Sequence, residues 1–162
     1  MAGRRSAGLL LYRRQNGTAE VLLVHPGGPF FLNKDAGAWS IPKGEYGDDE
    51  EGLDAARREF REETGMSVEG PFHALAPVRQ AGGKVVLAWA VPGDLDADAV
   101  RSNSFSLEWP PRSGQWQTFP EVDRAAWFNM GEAAVRILAG QRPLIDELAR
   151  LIAGDEPGST QK

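Results

Sequence analysis

Three glutamates near the middle of the chain are the residues whose types and spacing are best suited to chemistry. Glu59, Glu62 and Glu63 are close enough in sequence for a helix to place them on one face. Like charges at these spacings destabilise an isolated helix by a few tenths of a kcal/mol per pair, so the cluster needs a partner that offsets the repulsion. A divalent cation such as Mg²⁺ or Mn²⁺ meets that need, because hard cations prefer carboxylate oxygens as ligands.

The alternative interpretation is a solvated helix face, on which basic side chains neutralise the glutamates. The chain offers three of them nearby, Arg57, Arg58 and Arg61. Such charge patterns are common on exposed helices, so composition alone leaves both interpretations open. The preceding residues favour the metal site, because Gly44 and Gly47 form a loop before the helix. A tight loop packed on an acidic helix lets backbone carbonyls and phosphate oxygens share metal ions with the carboxylates.

The residues around the glutamates predict the helix that must carry them. Asp48 or Asp49 is suited to cap its N-terminus, and Gly65 follows its last turn, where a left-handed residue commonly ends a helix. Apolar residues recur at spacings of three and four, at Leu53, Ala56 and Phe60. This periodicity predicts a buried stripe on a different face from the glutamates.

The spacing Gly-x5-Glu-x7-Arg-Glu-U-x-Glu-Glu-x-Gly-U, with U a bulky apolar residue, resembles the signature of Nudix hydrolases. The chain meets it at nine positions: Gly44, Glu50, Arg58, Glu59, Phe60, Glu62, Glu63, Gly65 and Met66. The one mild departure is Phe60, where an aliphatic residue is commoner in the family. Nine constrained positions within 23 residues form a far more specific signal than a short isolated motif.

The resemblance implies an α/β fold. It is the Nudix α/β/α sandwich, with a mixed β-sheet and the signature as a loop–helix–loop motif. The order of elements extends the likeness to most of residues 6–153. We expect a single domain over residues 1–154. Residues 155–162 are polar and contain glycine and proline, so we expect a disordered tail there.

The rest of the chain predicts the strands and helices of such a sandwich. Six apolar, β-compatible segments predict strands: 6–14, 20–25, 72–78, 85–91, 105–109 and 125–128. Two apolar-patterned segments predict helices, 131–138 and 143–153. An Asn-Gly pair between the first two strands predicts a hairpin. Residues 26–38 predict a loop that is a candidate wall of a binding cleft, and His25 at its mouth is expected to be a satisfied or surface histidine.

The resemblance also implies the roles of the signature glutamates. Glu59, Glu62 and Glu63 match the positions that ligate metal in the family, and the backbone carbonyl of Lys43 adds a ligand there. We predict Glu59 and Glu62 as catalytic residues, with Glu59 as the general base. Family members place the base on different residues, some of them in distant loops, so this assignment stays open.

A further metal ligand is expected from beyond the signature. Glu121 precedes Trp127 by six residues, in the way an outlying glutamate precedes a tryptophan strand in diadenosine polyphosphate hydrolases. Glu108, next to Trp109, is the rival. Within the signature we expect structural roles for three residues, Glu50, Arg58 and Gly65, with Arg58 in an ion pair with a helix glutamate.

Substrate contacts are predicted at the entrance to the signature. Lys43 is placed to meet a phosphate as a point charge, and Gly44 lets the backbone approach it. Base recognition requires an aromatic platform or an arginine stack, for which Trp39 is predicted and Trp109 and Trp116 are further candidates.

The composition limits the classes of function. The net charge of −5 favours neither nucleic acid nor an anionic membrane as a partner. The absence of cysteine excludes disulfides, cysteine-based zinc sites and a cysteine nucleophile. No apolar run approaches the length of a membrane span. We therefore expect a cytoplasmic protein with a small nucleotide as its partner, and with no nucleic acid and no membrane.

The resemblance implies hydrolysis of a pyrophosphate bond in a nucleoside diphosphate linked to another moiety. A nucleoside triphosphate or a dinucleoside polyphosphate is the favoured substrate. The tyrosine that follows the signature in diadenosine polyphosphate hydrolases is missing, since the only tyrosines are Tyr12 and Tyr46. The specific substrate therefore stays open. The alternative is a Nudix-fold nucleotide-binding sensor without turnover, which would more often have lost a signature glutamate. The intact glutamates also argue against a purely structural domain.

Overall fold

The computed structural model describes residues 5–155, which form nine strands, three α-helices and four short 3-10 helices. The strands are β1 (Arg5–Gln15), β2 (Thr18–Pro26), β3 (Lys43–Glu45), β4 (His73–Ala74), β5 (Val78–Arg79), β6 (Val85–Pro92), β7 (Ser104–Glu108), β8 (Trp116–Pro120) and β9 (Val122–Asn129). The helices are α1 (Gly52–Thr64), α2 (Met130–Arg136) and α3 (Arg142–Asp155).

Strand β1 is the centre of a seven-stranded mixed sheet with the order β4-β6-β1-β2-β9. It pairs parallel with β6 and antiparallel with β2 and β3, and β5 is a second partner of β6. The predicted β1–β2 hairpin is confirmed, with Asn16 and Gly17 both at positive φ in its turn. Strands β7 and β8 form a separate two-stranded sheet.

Helices cover both faces of the sheet. Side chains alternate between the two faces along each strand, so the apolar residues of β1 need a covering layer on each face. Leu9 and Leu11 of β1 pack with the apolar stripe of α1. Leu10 packs on the other face, in a core that includes Leu144 and Leu148 of α3. The predicted α/β/α sandwich with a mixed sheet is confirmed.

Helix α1 begins later than its capping signals predict. Its N-cap residue is Glu51, whose side chain makes no capping hydrogen bond, so the prediction of Asp48 or Asp49 as the cap is wrong. Asp48 instead pairs with Arg5 at 2.6 Å, which holds the preceding loop against β1. The predicted end of the helix is confirmed, because Gly65 has a φ of 78° and its N–H donates to the Arg61 carbonyl.

Three other segments differ from their sequence prediction. Residues 72–78 form two short strands, β4 and β5, since Pro77 between them has no N–H to donate to a ladder. Strand β8 is not among the six predicted strands, and it forms through pairing with β7. Asp155 ends helix α3, and residues 156–162 of the predicted tail lie outside the described residues. Within 5–155, no helix is long and apolar enough to cross a membrane.

The burial of Phe60 predicts that its side chain contributes strongly to the stability of the fold. Its side chain is fully buried between α1 and the sheet, so Phe60→Ala should lower the free energy of unfolding by about 3–5 kcal/mol. Val135→Ala is the control, because Val135 is 55% exposed and its loss should change stability by less than about 0.5 kcal/mol. Chemical denaturation measures both, and equal small effects would contradict the packing described for α1.

Candidate active site

The glycine loop and the acidic helix meet at Gly44. This residue lies in β3, opposite Ala7 of β1, so the central sheet sets its position. A Cβ atom added to Gly44 would overlap the carboxylate of Glu59. The close approach requires glycine for lack of space, and it brings the backbone of β3 directly onto the glutamate face of α1.

Arg58 holds three of the signature carboxylates. It binds Glu50 through two hydrogen bonds of 2.8 and 2.9 Å, in a bidentate pair that lowers the pKa of Glu50. Its Nη1 atom also donates to Glu59 at 2.8 Å and to Glu62 at 3.2 Å. Arg58 therefore offsets part of the repulsion along the helix, while Glu50 anchors it from the loop side.

Glu63 lies on the cleft side of this cluster, and its carboxylate is bound by the backbone of β3. Its Oε1 atom accepts a hydrogen bond of 3.2 Å from the backbone N–H of Lys43. Burial, together with the charge of Glu59, raises the pKa of Glu63 to about 8. The hydrogen bond and the charge of Lys43 act in the opposite direction and lower it. Burial also raises the pKa of Glu59, although Arg58 opposes it. The site thus contains more carboxyl groups than cations to pair with them, and the raised pKa values are the consequence of that imbalance.

Glu121 is brought to the cluster and Glu108 is not. Glu121 directly follows β8 and lines the same cleft as Glu63, and its charge raises the pKa of both Glu59 and Glu63. Glu108 lies in the β7–β8 hairpin, where its Oε2 atom accepts a hydrogen bond of 2.8 Å from the backbone N–H of Gly114. Of the two rivals, Glu121 is therefore the one with access to the signature glutamates.

Lys43 contributes both its backbone and its side chain. Its side chain lines the cleft beside Glu63, and burial lowers its pKa, as does the charge of Lys84. The nearby carboxylates oppose this shift. A partly desolvated ammonium group at this position is suited to an anionic ligand, because an ion pair gains strength as water is removed.

Two of the glutamates, Glu63 and Glu121, line a cleft of about 230 Å³, and Glu59 and Glu62 lie outside its lining. Its other polar lining residues are Ser40 and Lys43. The rest of the lining is apolar and comes from β2, loop 26–38, the segment before β3, the start of β9 and the residues after α2: Val24, Pro26, Phe31, Ala38, Ile41, Val122 and Leu138. A mostly apolar cleft with a few convergent polar groups is typical of a small-molecule site.

The predicted role of Trp39 as a substrate platform is wrong for this structure. Its side chain is only 2% exposed and meets the rings of His25 and Phe128 edge-on, so it offers no open face. Trp109 contacts Phe30 with 5.2 Å between ring centroids, and Trp116 is 69% exposed. Neither of the latter two lines the cleft.

His25 is a satisfied buried histidine. It is fully buried, and its ring nitrogens lie 2.9 Å from Asp123 Oδ1 and 2.6 Å from the Lys34 carbonyl oxygen. The ring therefore ties loop 26–38 to β9. It is a structural bridge rather than a substrate contact.

Several residues of the cleft have no sequence signal of their own. The wall residues Phe31, Val122 and Leu138 come from separate parts of the chain, and only the loop around Phe31 was predicted to form a wall. Gln141 is fully buried and bonds the Ile41 N–H and the Ser40 hydroxyl, at 3.1 and 3.0 Å. It thereby fixes the strand that leads into the signature, through contacts a hundred residues apart.

The chemistry of the donor set fits a divalent cation. Across the described part of the chain, no three acidic or histidine side chains are already gathered as a ready metal site. The reason is local, because Arg58 binds Glu59 and Glu62 while the Lys43 N–H binds Glu63. The donors are nevertheless hard oxygens in a partly buried site with more carboxyl groups than basic partners, and hard oxygens are the ligands Mg²⁺ and Mn²⁺ prefer.

Comparison with known proteins agrees with this geometry. A family model described as NUDIX domain matches residues 3–148. A comparison with curated protein sequences gave no match.

Solved structures match over nearly the whole chain. An Ap4A hydrolase from C. elegans, solved as a binary complex, shares 24% identity over 93% of this chain and 98% of its own, with a TM-score of 0.63. The NUDIX domain of NrtR from Shewanella oneidensis, solved with ADP ribose, shares 17% identity over 94% of this chain and 89% of its own, with a TM-score of 0.62. A mutT/nudix family protein from Listeria innocua shares 17% identity over 96% and 98% of the two chains, with a TM-score of 0.63. At these identities the likeness shows the fold.

The raised pKa of Glu63 predicts how stability changes with pH. Its pKa is about 8 in the folded protein and near the ordinary 4.5 in the unfolded chain, so the folded state binds more protons between these values. Without metal, stability should therefore fall as pH rises from about 4.5 to about 8, by an amount on the order of a few kcal/mol. Glu63→Gln should remove this loss and unfold at a higher temperature than the wild type at pH 8.

Thermal unfolding in EDTA at pH 5 and pH 8 measures the effect. Glu69→Gln is the matched control, because Glu69 is exposed and lies beyond the helix. If the unfolding temperatures of the wild type and of Glu63→Gln differed by the same amount at pH 5 and pH 8, the electrostatic description of the site would be contradicted.

Proposed function

The chain belongs to the NUDIX domain family of hydrolases, and on this premise we propose that it cleaves a pyrophosphate bond of a nucleotide with a divalent metal ion. The bond lies in a nucleoside diphosphate linked to another moiety. The observation that carries this proposal is the shared cleft, which is lined by Lys43, Glu63 and Glu121 together with apolar residues. The charged lining residues suit metal-bound phosphates, and the apolar ones suit a nucleoside.

A nucleoside triphosphate or a dinucleoside polyphosphate is the proposed substrate class. The structural likeness to an Ap4A hydrolase and to a NUDIX domain bound to ADP ribose supports a nucleotide with at least two linked phosphates. All three signature glutamates are present, which supports turnover over mere binding.

The metal would be held by oxygen atoms of the signature helix and of the two segments beside it. These are the carboxylates of Glu59, Glu62, Glu63 and Glu121 and the backbone carbonyl of Lys43. When bound, Mg²⁺ or Mn²⁺ neutralises phosphate charge and lowers the pKa of a coordinated water. Glu59 and Glu62 would exchange their bonds to Arg58 for this role, while the bidentate pair with Glu50 keeps Arg58 in place.

Two side chains are proposed to act on the substrate directly. Glu59 is the proton acceptor, because burial raises its pKa and makes it more basic than an ordinary carboxylate. Lys43 pairs with a phosphate oxygen from the wall of the cleft. Gly44 keeps the backbone close enough to Glu59 for both groups to face the same phosphate.

Product release from a nucleotide panel, with Mg²⁺ or Mn²⁺, tests the proposal. The panel contains nucleoside triphosphates, oxidised triphosphates, dinucleoside polyphosphates, nucleotide sugars, ADP-ribose and NADH. We expect metal-dependent turnover, and Glu62→Gln should lower it about a hundredfold or more, because losing a ligand removes several kcal/mol of charge stabilisation.

Glu69→Gln is again the control and should retain wild-type turnover, because its side chain is exposed away from the signature helix. Nucleotide binding without turnover across the panel would refute the enzyme and favour a nucleotide sensor. Wild-type rates in Glu62→Gln would refute the ligand assignment.

The apolar wall predicts a separate effect on substrate binding. Phe31 lines the cleft, whereas Leu32, its neighbour in the chain, is 66% exposed and does not. Phe31→Ala should raise KM for a nucleotide by about fivefold with little change in kcat, because it removes about 1 kcal/mol of aromatic contact made in both ground and transition states. Steady-state kinetics of Phe31→Ala and Leu32→Ala measure the difference, and equal KM values would exclude the cleft as the nucleoside site.

A further inference from the structure

We propose that Gly27 is a positioning residue that sets the place of Glu121 relative to the signature helix. The inference rests on the proposed function, in which Glu121 is a metal ligand. Gly27 lies outside the signature and does not line the cleft. Its effect is transmitted through the backbone of the segment that carries Glu121.

Glu121 stands at the base of the β7–β8 hairpin. The ladder between the two strands ends with Ser104 opposite Pro120. It is continued by one more bond, because the Glu121 N–H donates to the Asn103 carbonyl at 2.8 Å. The hairpin therefore closes directly onto Glu121, and the residue pair 103 and 121 forms its last rung.

The other side of Asn103 is bound to helix α1. The Asn103 N–H donates to the carbonyl of Glu62 at 2.8 Å, and the Arg101 N–H donates to the carbonyl of Thr64 at 2.9 Å. These bonds satisfy carbonyls at the C-terminal end of the helix, which lack intrahelical partners. Glu121 is thus connected to the backbone of a signature glutamate through a single intervening residue.

Gly27 holds the same segment from the opposite side. Its N–H donates to the Glu121 carbonyl at 3.0 Å. A Cβ atom added to Gly27 would overlap the carbonyl oxygen of Pro120, so the chain passes too close for any side chain. The backbone of Gly27 is not in the left-handed region, and the requirement for glycine is therefore one of space.

An irregularity in the β2–β9 ladder lies beside this contact. His25 pairs with Arg124 and Pro26 pairs with Val122, so Asp123 is left without a ladder partner. Bulges of this kind bend a strand and commonly lie next to active sites. Here the bulge lies next to Gly27, and the backbone of Glu121 is bonded to Gly27 through its carbonyl and to Asn103 through its N–H.

An alanine at position 27 must push Pro120 and Glu121 away from the β2 side. Binding of Mn²⁺, followed by electron paramagnetic resonance of the free ion, reports on Glu121 without requiring turnover. Gly27→Ala should weaken Mn²⁺ binding about tenfold or more, the effect typical of residues that orient a metal ligand. Gly131→Ala is the matched control, because a Cβ there makes only an ordinary contact of 3.7 Å with Asn129.

A double-mutant cycle separates positioning from a general loss of stability. If Gly27 acts through Glu121, adding Gly27→Ala to Glu121→Gln should cause no further loss of Mn²⁺ affinity. Additive losses, or wild-type affinity in Gly27→Ala, would overturn the proposal. Ser102→Ala is the second variant if Gly27→Ala does not fold, since its hydroxyl accepts the Val122 N–H at 3.0 Å and anchors the same segment. Ser102→Ala should also weaken Mn²⁺ binding in the wild-type background. It should cause no further weakening when Glu121→Gln is already present.

The cycle also distinguishes this proposal from the proposed function. Weakened binding in Glu121→Gln with unchanged binding in Gly27→Ala would reject the positioning role alone. Wild-type binding in both Glu121→Gln and Glu63→Gln would reject the metal site, and the positioning role with it.

Discussion

The repulsion among partly buried glutamates on α1 is the constraint on which the rest of the site depends. Glu59 and Glu63 are drawn from water by the packing of the helix on β3, and burial raises the pKa of both. A fold keeps such charge only if something compensates it. Arg58 compensates Glu59 and Glu62, and the Lys43 N–H binds Glu63. The carboxyl groups that remain without a cationic partner are what make the cleft suited to a cation and its phosphate ligand.

The groups proposed to bind this cation come from three separate parts of the chain. The glutamates lie on α1, the carbonyl lies on β3, and Glu121 lies between β8 and β9. Strand β1 fixes the positions of α1 and β3 relative to each other, because it pairs with β3 and packs against α1 through Leu9 and Leu11. Backbone hydrogen bonds at Gly27 and Asn103 connect the segment that carries Glu121. Precise placement of the ligands therefore depends on the sheet and its connections rather than on the helix alone.

The sequence is most informative where the structure is local. The end of α1, its buried stripe and the β1–β2 turn follow from periodicity and from glycine, whose effects act within a few residues. The N-cap was mispredicted because Asp48 has a distant competitor, the ion pair with Arg5. Strand β8 was missed because its formation depends on β7.

The site shows the same division between local and distant effects. Spacing alone groups the three signature glutamates, and it cannot show that the backbone of Gly44 packs directly against the carboxylate of Glu59. The burial of Trp39, the wall residue Leu138 and the tight passage at Gly27 arise from contacts between distant segments. Such contacts leave no periodic pattern in one sequence, and a spacing argument therefore cannot find them.

The most direct test of the account is a crystal structure of the protein with Mn²⁺ and a non-hydrolysable nucleoside triphosphate, with the metal located by anomalous scattering. The account predicts Mn²⁺ at about 2.1 Å from carboxylate oxygens of the α1 glutamates, the distance usual for a small hard cation. It also predicts phosphates beside Lys43 and the nucleoside between the apolar walls of the cleft. A metal bound away from α1, or a nucleotide bound outside this cleft, would contradict it.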